Sequence, residues 1–355
     1  MDIPLHSQLR KKLRKWLYII FSLIKRTTPT DNYIDKKEIK QILIVRPNYR
    51  IGNIIFLTPL INELEKHIPD VTIDIIVGMK LAGQILEPMP NVRSVIDIPR
   101  KLLLHPLKLL ELIKKTRKEH YDLILNVSSG SVSSEIVTAL SKARYKASFE
   151  NDKSLIHFTH TVENENRYKH FASRPLELLK LFGERLPVNN VPLDIKLTSQ
   201  ERESAKTALQ NIIQENNIPN EHKIVALFRN ARFDKKISDE WWNSWHKELL
   251  NKDTKITVID ILSPDILVKL NKDMLEYSTQ NLRLLGAFFA ECDLYVSADT
   301  GPLHLASASD AKVLALFNNT DPNTYGILEA KSKNIEVNGL STDDVAKICQ
   351  NMLVN

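Results

Sequence analysis

The sequence predicts an α/β chain of two doubly wound, Rossmann-like halves preceded by a basic amphipathic helix. Three observations carry that expectation. The 355 residues suffice for roughly two domains, and 43% of them are apolar, enough to build sizeable cores. Short apolar runs alternate with helix-period segments, which argues for βαβ units on a parallel sheet. The alternation lapses over residues 150–195, a stretch richer in polar residues and in His157, His160 and His170, and then restarts. Two such halves place ligands at the carboxyl ends of their strands, in a cleft between domains.

The elements follow in order. Residues 41–45, 72–77, 92–96 and 123–127 are apolar runs of strand length; 54–67, 81–87, 106–119 and 133–141 carry helical periodicity between them. Thr198 and Ser199, with Glu201 close behind, open a helix over 198–216. Strands are then expected at 224–228, 256–261, 282–285, 294–297 and 313–317. Helices are expected at 239–250 and 302–309, and a last one opened by Ser341. The resulting domains are a basic arm (1–35), a first Rossmann-like domain (36–195), a second (196–340) and a C-terminal helix (341–355).

Charge separates the arm from the body. The net charge is +6; residues 1–40 hold ten Lys/Arg against four Asp/Glu, while the rest holds 39 of each sign. A nucleic-acid binder would carry its basic patch on the fold itself, so no nucleic-acid partner is expected. In residues 8–26, Leu9, Leu13, Trp16, Leu17, Ile20 and Ile24 recur at helical spacing, with Lys/Arg mostly on the other face. The uncharged run, 16–24, is far short of the roughly 20 residues a spanning helix needs. The pattern is that of an interfacial helix on an anionic membrane, or of a helix packed on the body with its charges in water. The two cysteines, Cys292 and Cys349, have no metal-ligand spacing and fit a reducing compartment.

Three segments could carry chemistry. In 294–308 a strand runs into a turn of Asp299, Thr300 and Gly301, and Pro302 suits the first helical position. A helix start of this kind is an anion site, with Gly301 allowing close approach and Thr300 and His304 as donors. It is equally an ordinary capped start with a core histidine. In 228–242, Arg229, Arg232, Lys235 and Lys236 follow a strand, where a cation neutralises charge on a departing phosphate; a solvated loop anchored by Trp241 and Trp242 reads as well. In 42–60 a strand, a polar turn carrying Arg46, Asn48, Arg50, Gly52 and Asn53, and a helix with Thr58 follow one another. There Gly52 alternatively serves only a βα backbone angle.

Together these segments resemble glycosyltransferase family 9, the lipopolysaccharide heptosyltransferases, over about residues 40–350. The run from Asp299 to Ala306 is similar to the family's Asp-[Ser/Thr]-Gly-x-x-His-x-Ala signature. Arg232 to Trp242 resembles its Arg-x-x-Lys-x-Trp-Pro segment, with Ile237-Ser238 where Trp-Pro stands. Gly52 to Leu60 resembles its Gly-Asp…Thr-Pro opening. The resemblance implies the two-Rossmann GT-B architecture facing a central cleft. It implies a metal-independent, inverting transfer from a nucleotide-sugar co-substrate, ADP-heptose, to a core-saccharide or lipid-linked acceptor at the cytoplasmic face of the membrane. It assigns Arg229, Arg232, Lys235, Asp299, Thr300, Gly301, Pro302 and His304 to the donor. Arg46, Asn48, Arg50, Gly52 and Thr58 fall on the acceptor side, and Asn53 and Lys235 on the chemistry.

One departure bears on mechanism. The family's aspartate after the first-loop glycine, its acceptor base, is here Asn53, and Asn126 stands where many relatives are acidic. An amide cannot take a proton at neutral pH. Another group serves as base, or hydrogen bonding suffices in a loose transition state, or the chain is an impaired nucleotide-sugar-binding scaffold. A family enzyme with another sugar or a protein acceptor is a further alternative. No Asp-x-Asp triplet supplies metal ligands, and no Gly-x-Gly-x-x-Gly, P-loop or Gly-x-Ser-x-Gly elbow is present.

Overall fold

The computed structural model describes residues 32–128, 130–163, 168–185, 187, 191–253 and 255–354. The amphipathic arm expected at 8–26 lies outside them. In chain order the first elements are β1 (Gln41–Arg46), α1 (Ile51–Ile55), α2 (Thr58–His67), β2 (Thr72–Val77), α3 (Ala82–Leu86), β3 (Val92–Asp97), α4 (Pro106–Lys118), β4 (Tyr121–Asn126), α5 (Val132–Leu140), β5 (Ala143–Phe149) and β6 (His160–Val162). A 3-10 stretch at Arg174–Phe182 follows. Then come α6 (Ser199–Glu215), β7 (Lys223–Phe228), α7 (Asp239–Lys252), β8 (Ile256–Ile261), β9 (Leu275–Tyr277), α8 (Leu282–Glu291), β10 (Leu294–Ala298), α9 (Gly301–Ala308), β11 (Val313–Phe317), α10 (Pro322–Tyr325), β12 (Lys333–Glu336) and α11 (Thr342–Val354).

These elements form two compact units. One holds the described residues of 1–49, 60–167 and 175–188; the other holds those of 50–59, 168–174 and 189–355. Each unit contains a six-stranded, wholly parallel sheet, ordered β3-β2-β1-β4-β5-β6 in the first and β12-β11-β10-β7-β8-β9 in the second. Relabelled from its own first strand, the second sheet has the order of the first: the doubly wound 3-2-1-4-5-6 arrangement, whose ligand crevice opens where the order reverses. That switch point lies between β1 and β4 in one unit and between β7 and β10 in the other. The central strands are buried on both faces, as the apolar runs of β1, β4 and β7 require; β10, Leu-Tyr-Val-Ser-Ala, is buried throughout as well. In the second unit Trp242 and Trp245 of α7 are fully buried against the sheet.

The structure reverses the sequence reading at one element and adds β5, β6, β9, α10 and β12, which the reading did not contain. Residues 282–285, expected as a strand, begin the helix α8. Asn281 caps it, its Oδ1 accepting from Arg283 N and Leu284 N. The buried Arg283 pairs with Glu201 and donates to the carbonyls of Ile195 and Lys196, tying α8 to the start of α6. The third strand of that sheet is instead the three-residue β9. The expected helix over 54–67 divides into α1 and α2 around Phe56–Leu57. The stretch 150–195 contributes β6 to the first sheet.

Candidate functional site

At the second sheet's switch point, the loops after β7, β10 and β11 converge. Asp299 directly follows β10 and is 5% exposed. Its Oδ2 accepts from Lys235 Nζ at 2.5 Å and from Thr320 Oγ1 at 2.7 Å. His304 Nε2 lies 3.4 Å from its Oδ1. Burial alone would raise the Asp299 carboxyl; the His304, Lys235 and Thr320 partners outweigh it and hold the group well below the usual carboxylate range. The site therefore contains a fixed carboxylate that orients a half-buried lysine and a buried histidine. Asp234, next to Lys235, anchors the same convergence by accepting from the side chains of Asn318 and Asn319.

The amino end of α9 completes this arrangement. Thr300 is the cap, its Oγ1 accepting from Leu303 N at 3.2 Å, and Pro302 stands in the first turn, where its missing N–H leaves no gap. His304 points back onto Asp299 from one turn in. Phe56 meets its ring edge-on at 4.5 Å between centroids, and its Nδ1 is buried with no hydrogen-bond partner among the described residues. An unsatisfied buried nitrogen costs about 1–3 kcal/mol. The Lys235 ammonium lies 5.7 Å from the Tyr325 ring centroid.

Two glycines set how closely α1 approaches α9. A Cβ on Gly301 would fall 2.0 Å from Ile51 Cγ2, and one on Gly52 would fall 2.6 Å from His304 Cδ2. Gly301 thus faces a side chain of α1, and neither glycine needs a positive φ. Their bare α-carbons let two helix starts meet, each contributing partial positive charge.

The remaining sequence-selected residues lie as follows. Arg229 is 5% exposed; it pairs with the fully buried Asp260 and with Asp239 and donates to Val268 O, so its guanidinium is spent inside the fold. Arg232 is exposed. Thr58 is fully buried, and its hydroxyl accepts from Asp194 N at 3.3 Å. Arg50 is the exposed residue before α1, and Asn53 is half-buried within it.

In the first unit, Arg46 ends β1 at the other switch point. Burial pushes its guanidinium down to about 10, and it donates to Val127 O. Asn48 closes the turn there, its carbonyl accepting from Gly78 N. Asn126 is buried at the end of β4; its Oδ1 accepts from Ser128 N, while its Nδ2 has no partner among the described residues.

Sequence reading did not single out Thr320, Tyr325 or Phe56. The turn formers Asn318-Asn319-Thr320-Asp321 ahead of Pro322, straight after an apolar run, were the available signal for the first two. Nothing local marks Phe56. Among the described residues no group of three or more His, Cys, Asp or Glu is placed to hold a metal ion.

Comparison with known proteins is consistent across sequence and fold. The sequence model of glycosyltransferase family 9 (heptosyltransferase) matches residues 109–354. Lipopolysaccharide heptosyltransferase 3 of Escherichia coli is 24% identical over 290 residues, covering 76% of this chain and 81% of that protein. A family 9 glycosyltransferase from Veillonella parvula superposes with a TM-score of 0.73 at 16% identity, over 89% of this chain and 97% of its own. The E. coli heptosyltransferase WaaC with ADP gives 0.68 at 21%, over 88% and 99%. E. coli ADP-heptose lipopolysaccharide heptosyltransferase II gives 0.67 at 17%, over 88% and 98%.

Proposed function

This chain belongs to glycosyltransferase family 9, the heptosyltransferase family, and on that premise we propose that it moves a heptose from ADP-heptose onto a lipopolysaccharide-core or related lipid-linked saccharide. The fold is GT-B and the enzyme a glycosyltransferase; the sugar, the acceptor and inversion by direct displacement are our reading. What supports the donor is that WaaC binds ADP, and an ADP-2-deoxy-2-fluoro heptose, on the same fold. The observation that carries the proposal is the Lys235–Asp299–His304 cluster at the switch point of the second sheet.

In this reading the diphosphate lies at the start of α9. One Lys235 N–H stays on Asp299, and its other two meet phosphate oxygens and stabilise the charge that grows as the sugar departs. Thr300, Gly301, Pro302 and His304 shape the phosphate and sugar contacts, with His304 Nδ1 as the unspent polar atom. Arg232 adds an exposed cation. Arg46, Asn48 and Arg50 face the acceptor. Asn53 accepts a hydrogen bond from the attacking hydroxyl through its amide oxygen, and the proton passes to solvent as the bond to the anomeric carbon forms.

The Asn53 departure favours one competing reading, a nucleotide-sugar-binding scaffold without turnover. ADP release from ADP-heptose plus a truncated core acceptor separates the two, measured for the wild type, N53D and K235A. The proposal expects turnover in the wild type and a loss of roughly 100-fold or more in K235A. A silent wild type that N53D revives identifies the scaffold. Silence in every variant with every ADP-sugar sinks the donor assignment.

A further inference from the structure

Leu104, Leu107 and Leu110 are 69%, 81% and 54% exposed. They follow β3 in a single continuous piece of chain: a 3-10 turn at Leu102–Leu104 and then α4. At 100° per residue, Leu109, Leu112, Ile113 and Thr116 form the face of α4 that packs inward, and Leu112 and Thr116 are buried there. Leu107, Leu110, Lys114 and Lys118 fall on the opposite, outward stripe, and all four are exposed. These leucines do nothing for the core.

The same segment concentrates positive charge. Residues 100–118 hold seven Lys/Arg against Glu111 alone, whereas the rest of 41–355 holds 32 basic and 38 acidic residues. An outward stripe with leucines at one end and lysines at the other matches a helix that lies on a lipid surface. The leucines enter the headgroup boundary, and the lysine stems run along it to reach phosphates. A protein partner is the weaker fit. Protein interfaces favour aromatic residues, Met and Arg and are depleted in Lys, while five of the seven cations here are Lys and α4 has no aromatic residue. The N-terminal arm is also a poor cover for this face, because it too is strongly basic.

We propose that the outward face of α4 with the preceding turn, centred on Leu104, Leu107, Leu110, Lys114 and Lys118, rests on an anionic bilayer. The contact needs no assumption about sugar transfer. Its position does suit a lipid-linked acceptor: α4 leaves the same sheet edge as Arg46, since β1, β2 and β3 are parallel neighbours, and β3 is two strands, roughly 10 Å, from β1. Leu81, 47% exposed, emerges from that edge after β2.

The test uses the full chain carrying L107C, labelled with an environment-sensitive fluorophore; Cys292 and Cys349 are buried and spared. On vesicles containing phosphatidylglycerol the label shifts to the blue and loses most of its iodide quenching, and on pure phosphatidylcholine it does neither. K114E/K118E weakens partitioning by well over ten-fold, at roughly five-fold per cation, with an unchanged melting temperature. A label that stays fully quenchable while the protein sediments with the vesicles overturns the proposal. So does a label already shielded without lipid and released by deleting residues 1–31, or one shielded by self-association.

Discussion

Gly52→Ala tests the geometry of the site at one atom. A Cβ there would stand 2.6 Å from His304 Cδ2, about 1 Å inside ordinary van der Waals contact. The histidine cannot retreat freely. Its side chain is 5% exposed, Phe56 backs it, and moving away takes Nε2 from Asp299. Overpacking of this kind costs about 1–3 kcal/mol. Against it stands the gain of replacing glycine in a helix by alanine, roughly 0.5–1 kcal/mol. The net expectation is a loss of up to about 2.5 kcal/mol in the wild type. With His304→Ala in place the clashing carbon is gone and only the helix gain remains, so the same substitution changes sign and stabilises. Urea or thermal unfolding of the four proteins in a double-mutant cycle measures this. Equal effects of Gly52→Ala in both backgrounds would refute the contact, and with it the close approach of α1 to α9.

Acid should destabilise the protein in two steps. His170 is buried and neutral; burial lowers it to about 4, against hydrogen bonding to Gly326 O. As pH falls from about 6.5 towards 4 the unfolded chain takes up the proton first, and stability drops by up to about 3 kcal/mol. The depressed Asp299 carboxyl contributes stability that is complete above about pH 4 and is lost below it. Denaturation midpoints against pH should therefore lose the upper step in H170F and the lower step in D299N; unchanged profiles would contradict both. Arg229→Ala leaves the buried Asp260 unpaired and should cost about 3 kcal/mol, with the donor KM of the folded enzyme altered less than two-fold. A large KM rise at unchanged melting temperature would place Arg229 in the donor site instead.

Much of the fold was legible because doubly wound halves write their strands as apolar runs between helical periods. Residues 282–285 misled because Leu-Arg-Leu-Leu is too short to separate strand from helix by periodicity; the run on to Phe289 and the cap at Asn281 decide it. β6, β9 and β12, three or four residues each, carry too little pattern to register, and the seven-residue β5 was missed because its Ala-Arg-Tyr-Lys-Ala-Ser-Phe run is not an apolar one. The site divides in the same way. Asp299, Thr300, Gly301 and His304 were readable because one strand–turn–helix holds them all. Thr320 and Phe56 reach Asp299 and His304 from distant parts of the chain, through contacts no local pattern encodes. For Gly52 the alternative of a backbone-angle glycine does not hold: its φ is not positive, and the helix start needs space beside His304.

The central claim is that the Lys235–Asp299–His304 cluster grips a nucleoside diphosphate. Titration calorimetry of ADP into the wild type and K235A addresses it without an acceptor or a sugar. The account predicts saturable binding to the wild type and an affinity at least ten-fold weaker in K235A, both measured below the melting temperature of the less stable protein. Equal affinity in the two proteins, or no binding of ADP to the folded wild type, would contradict it.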